Sequence, residues 1–164
     1  MKYSRRIIIT AVTAGFTLAV LFVSFAIRYK HVYPFKCYSF THYDLSRTPD
    51  DTFDMFLTQD LRIQDEEGGY LLLNGDVVKN NVKTYLSRTI VFGKGTKIDD
   101  DTFRYQITGT KVALSDNTPS AYFNQLLTEF TSDPDVLQLD VIRLQDQTFL
   151  IGGPVSYLFT CERY

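Results

Sequence analysis

The stretch Phe53-Asp54-Met55-Phe56-Leu57-Thr58-Gln59-Asp60-Leu61-Arg62-Ile63 decides how the rest of the chain is read. Phe53, Met55, Leu57, Leu61 and Ile63 alternate with Asp54, Thr58, Asp60 and Arg62, interrupted only around Phe56 and Gln59. A period of two with one wet face is the pattern of a half-buried strand.

Working outward, Phe103, Tyr105 and Ile107 repeat the alternation against Arg104, Gln106 and Thr108. Leu137, Leu139 and Val141 do so less completely against Gln138, Asp140 and Arg143. Near the end, Val155, Tyr157, Phe159 and Cys161 alternate with Ser156, Thr160 and Glu162, which places Cys161 on a buried face. Further strands are expected at 36–44, 70–78, 82–92 and 148–151. Turn chemistry separates them at Asp65-Glu66-Glu67-Gly68-Gly69, Lys79-Asn80-Asn81, Gly93-Lys94-Gly95, residues 99–101 and Gln145-Asp146-Gln147. Asn74-Gly75 offers an alternative, a tight hairpin that splits one strand into two.

One stretch departs from period two. Thr118 before Pro119 reads as an N-cap followed by proline at the first helical position. Phe123, Leu126, Leu127 and Phe130 then recur at helical spacing, with Pro134 just beyond. The expected fold is therefore mainly β: a curved antiparallel meander sheet or barrel of seven to nine strands, with one amphipathic helix laid over it. The 13 Phe and 11 Tyr suit either a filled core or an apolar cavity for a small hydrophobic molecule.

Ahead of this domain, residues 7–27 are 21 uncharged residues, about 31 Å as a helix, the thickness of a hydrocarbon core. Lys2, Arg5 and Arg6 precede the segment; Arg28, Lys30 and His31 follow it, with Tyr29 and Tyr33 suited to the interface. The division that follows is a cytoplasmic tail over 1–6, a transmembrane anchor over 7–27, a juxtamembrane linker over 28–35 and an exported β domain over 36–164. The competing reading is a signal peptide cut after Ala26, where Ser24-Phe25-Ala26 provides small residues. Both readings export the domain.

The chain has two cysteines, Cys37 near the start of that domain and Cys161 near its end. In an exported domain this pattern points to one disulfide closing nearly the whole fold, the alternative being two buried free thiols. From Arg28 onward 14 Lys and Arg face 19 Asp and Glu, a net charge of −5. No basic cluster is present of the kind that would bind nucleic acid directly.

Signs of catalysis are scarce. Of the two histidines, His31 lies beside the membrane segment, and His42 sits in the opening strand among Thr41, Tyr43 and Asp44, where a structural role is expected before that of a general base. There is no nucleophile elbow, phosphate loop or H-E-x-x-H motif. The carboxylate runs Asp50-Asp51 with Asp54, Asp65 to Glu67 and Asp99 to Asp101 lack the spacing of a calcium loop and read as solvated turns. No catalytic, cofactor-binding or metal-binding residue is therefore nominated; Cys37 and Cys161 are the one nominated pair.

Taken together, the basic start Lys2 to Arg6, the single apolar segment, Phe35-Lys36-Cys37-Tyr38-Ser39 and the closing Ile151-Gly152-Gly153-Pro154 to Phe159-Thr160-Cys161 resemble the FidL-like family of inner-membrane proteins. The resemblance implies a single-pass protein of the bacterial inner membrane with its carboxy-terminal domain in the periplasm. It further implies a ToxS-like role as accessory partner of a ToxR-like regulator, a membrane-spanning winged-helix protein, the β domain stabilising the regulator and sharing a hydrophobic ligand pocket with it. A stand-alone periplasmic sensor or carrier of a small hydrophobic molecule, or an envelope structural protein, are the alternatives.

Overall fold

A computed structural model describes residues 33–48 and 50–164, together with residues 15, 17, 18 and 20. The chain divides into two units, Met1–Val32 and Tyr33–Tyr164. In the first, Gly15, Thr17, Leu18 and Val20 are helical and exposed. The rest of the expected anchor over 7–27 lies outside the described residues, as do the cleavage point at Ala26 and most of the linker over 28–35. Among the described residues no helix is long and apolar enough to cross a membrane.

The second unit is a closed antiparallel barrel of eight strands in sequence order. They are β1 (Phe35–Asp44), β2 (Phe53–Ile63), β3 (Gly69–Lys79), β4 (Val82–Lys97), β5 (Thr102–Val112), β6 (Val136–Arg143), β7 (Thr148–Gly152) and β8 (Tyr157–Arg163), with α1 (Ser120–Phe130) between β5 and β6. Consecutive strands pair antiparallel, the longest connection being that from β5 to β6, which carries α1. The β3–β4 turn follows from its residues. Asn80 and Asn81 both take positive φ, 48° and 67°, as a two-residue hairpin of matching twist requires.

On β2 the alternation is stricter than the sequence conveys. Phe53, Met55, Leu57, Gln59, Leu61 and Ile63 all point inward and are buried, so Gln59 is a core residue and Phe56 faces out. At one end of the barrel Phe35 packs edge-on against Phe149 and Tyr33 edge-on against Phe103, while Phe92 meets Tyr105 at a tilt. At the other, α1 turns Phe123, Leu126 and Phe130 inward. Phe130 meets Tyr43 and Tyr122 meets Phe53, so the helix caps the barrel with its apolar face.

Four expectations are corrected by this structure. Asn74-Gly75 is not a turn: β3 runs through it, and Gly75, at φ 154°, lies so close to β2 that a Cβ would stand 2.0 Å from the Phe56 carbonyl oxygen. Gly93-Lys94-Gly95 is not a turn either. β4 continues to Lys97 across a bulge in which Lys94 takes φ 53° and Gly95 lies against the Glu66 carbonyl. Val155 and Tyr157 are exposed rather than inward, because Val155 lies in the β7–β8 connection and Tyr157 pairs at the register shift at Ile151/Gly152; Leu158, Phe159 and Cys161 are buried. Finally, Pro119 stands at the N-cap, and the Thr118 hydroxyl bonds Thr84 at 3.0 Å instead of capping α1.

Candidate functional site

The barrel closes where β1 meets β8, and that seam is short. Only Cys37↔Arg163 and Tyr38↔Glu162 pair across it, while β1 and β2 pair along the full length of β1. The Cys37–Cys161 disulfide spans the same point, with Cα atoms 5.5 Å apart. Beyond it, side chains replace the backbone ladder. Ser39 donates to the Thr160 carbonyl at 2.6 Å, and the Tyr43 hydroxyl donates to the Leu158 carbonyl at 3.3 Å. Inside, the Gln59 amide donates to Thr41 at 3.0 Å and to Tyr43 at 2.7 Å, while its Oε1 is buried with no hydrogen-bond partner. Burial keeps the Tyr43 phenol protonated, its pKa well above the usual range despite the bonds from Gln59 and Thr41.

The carboxylate runs serve local structure. Asp65 Oδ1 accepts from the Glu67 and Gly68 amides, and Asp99 Oδ1 from the Asp101 and Thr102 amides, each ordering a turn. Those backbone bonds, with that of Asp101 foremost, hold the Asp99 carboxyl below its usual range. Asp51 pairs with Lys79. Among the described residues no group of three His, Cys, Asp or Glu is placed to hold a metal ion. His42 lies on the outer face, half exposed, with Nε2 2.7 Å from Asp54 Oδ1 and its ring stacked at 4.4 Å on Phe56. Around it Tyr38, Phe40 and Phe56 are exposed aromatics.

Sequence reasoning missed a buried ion pair. Arg88 on β4 points inward in phase with Leu86 and Ile90, and its guanidinium binds both carboxylate oxygens of Asp116, at 3.0 and 3.1 Å. It also donates to the Thr118 carbonyl at 2.6 Å and lies 4.8 Å from the Phe123 ring centre. Asp116 in turn accepts from the Ser87 and Thr118 amides. The cluster fastens the connection between β5 and α1 to the barrel wall. Its legible signal was the phase of Arg88: a charge on the buried face of a strand requires a partner.

The second half of β5 lacks a neighbouring strand on one side. β6 pairs only with Thr102 to Gln106, whereas β4 pairs on to Val112. Beyond Ile107, whose amide reaches the Asp135 carbonyl at 2.8 Å, the far edge of β5 has no strand beside it. Ala113 turns its N–H toward Ser87 on β4. By the alternation of an antiparallel ladder, Thr110 and Val112 turn theirs the opposite way, onto the open edge. Residues 108–112 are all exposed. A surface concavity of about 610 Å³ lies alongside on the outer face, lined among others by Tyr70, Leu72, Val91, Lys94 and Lys111.

The model of a family described as "FidL-like putative membrane protein" matches residues 75–161, more than half of the chain. The chain belongs to the FidL-like family. In this FidL-like protein the matched segment holds the Arg88–Asp116 pair, the open half of β5, α1, and the closing stretch from Ile151 to Cys161; Cys37 lies before it. No curated protein and no solved structure matches the chain.

Proposed function

We propose that this FidL-like protein is a non-enzymatic accessory subunit: a periplasmic barrel, anchored in the bacterial inner membrane by residues 7–27, that partners and stabilises a ToxR-like transmembrane transcriptional regulator. The observation that carries this reading is the open half of β5, a formed strand with free main-chain groups on a barrel whose described inward positions are otherwise filled by its own side chains. An unpaired edge of this kind is a template for a further strand. Two proteins each held by one membrane segment lose less freedom on pairing than two in solution, so a small interface suffices. The partner, not this chain, reads DNA.

A second reading, a sensor of a small hydrophobic molecule, is favoured by one observation: the unpartnered Gln59 Oε1 beside Tyr43, beneath the short β1–β8 seam. A ligand with one donor group would satisfy it. The test that separates the two is to crosslink the full-length protein in its native membrane and identify by mass spectrometry what copurifies in near-equal amount. A membrane-spanning winged-helix protein is the expected result. Recovery of nothing stoichiometric would transfer support to the solitary sensor.

A further inference from the structure

We infer that the open edge of β5 at Thr110 and Val112 receives an extended, acidic segment of a second membrane-tethered protein, which joins the barrel wall as an added strand. This rests on the accessory reading above and specifies its surface and the chemistry of its occupant.

Three observations converge on it. The edge offers the N–H and C=O groups of Thr110 and Val112 at strand spacing, already held straight by their pairing with Ile90 and Arg88 on β4. An incoming strand therefore loses no energy in ordering its template. Second, the two faces of β5 differ. Opposite inward Ile90 and Arg88, Thr110 and Val112 face the inner side, yet Val112 is 58% exposed, so an apolar residue beside it would bury surface that the barrel leaves wet. Third, the open half of β5 carries Lys111 on its outer side and no carboxylate of its own, in a domain that is acidic overall. Lys111 belongs to no ion pair among the described residues. The complementary strand thus alternates apolar residues facing in with carboxylates facing out.

The decisive substitution is Thr110→Pro. Its N–H faces the open edge and serves no bond within the barrel, so proline there leaves the β4 ladder intact, and Gly109 before it accommodates the ring. On the edge it removes a donor and places the ring where a neighbouring strand would lie. In full-length protein in its native membrane, a benzophenone amino acid replacing Val112 should crosslink to one membrane-spanning protein. The mapped peptide should lie in an extended segment of alternating apolar and acidic residues. Adding Thr110→Pro should lower that adduct about tenfold or more, the loss of one 1.4 kcal/mol increment, with the unfolding temperature unchanged. If the proline variant fails to fold, Val112→Lys, with the crosslinker moved to position 110, keeps every main-chain bond and should give the same loss.

An adduct undiminished in a folded edge variant would overturn the inference and leave the accessory reading standing. An adduct to a second copy of this chain would also overturn it, in favour of self-pairing. Absence of any partner from the wild-type membrane would overturn both.

Discussion

Arg88 shows what a single residue can demand of a fold. Its side chain and that of Asp116 are 5% and 2% exposed, so neither charge has water to fall back on. Asp116→Ala should cost about 3–5 kcal/mol in a denaturant titration, because it leaves a buried guanidinium unpaired, whereas Arg88→Met with Asp116→Leu together should cost much less. The pair also sets an acid dependence. Burial opposes ionisation of Asp116, but the Arg88 guanidinium and the Ser87 and Thr118 amides outweigh it and hold the carboxyl below its usual range. A folded-state value below the unfolded one stabilises fully above about pH 4 and ceases to do so as pH falls through the folded value. Urea titrations between neutral pH and about pH 2 should therefore show part of the acid sensitivity abolished by Asp116→Asn. Of this cluster, the inward phase of Arg88 was readable in the sequence. Asp116 was not, since a partner 28 residues away and across a chain reversal leaves no local pattern.

At the scale of elements, glycine carried two different meanings that composition does not separate. Asn74-Gly75 and Gly93-Lys94-Gly95 resemble turns in isolation, yet both lie within strands because a neighbouring backbone passes where a side chain would be. Gly75→Ala should lower stability by at least about 2 kcal/mol, from strained φ and contact with the Phe56 carbonyl, measurable as a fall in unfolding temperature. By contrast the β2 alternation, the Asn80-Asn81 turn and the apolar face of α1 were legible, since each is determined by neighbours in sequence. The open half of β5 was not. Phe103 to Thr108 reads as a strand in the sequence, but which edge lacks a partner depends on where β6 begins, after 23 intervening residues that include a helix.

For the whole molecule the consequential feature is how the barrel closes. Cys37 and Cys161 lie 124 residues apart, and restricting a loop of that length removes about 4–5 kcal/mol of unfolded-state entropy on the chain-entropy account. Cys37→Ser or Cys161→Ser should therefore lower folded protein sharply, and non-reducing peptide mapping should recover the two wild-type cysteines as one linked pair. The cysteine positions made this bond readable in advance. That the bond stands at a seam with only two paired positions is a fact of register, which only the assembled barrel reveals. The seam also governs how the domain bears load. A pull applied at Tyr33 begins to peel β1, but four residues later it meets a covalent link to the last strand. Oxidised protein drawn in an optical trap from that end against a handle on α1 should thus resist as one body; after reduction, β1 should peel first and at lower force.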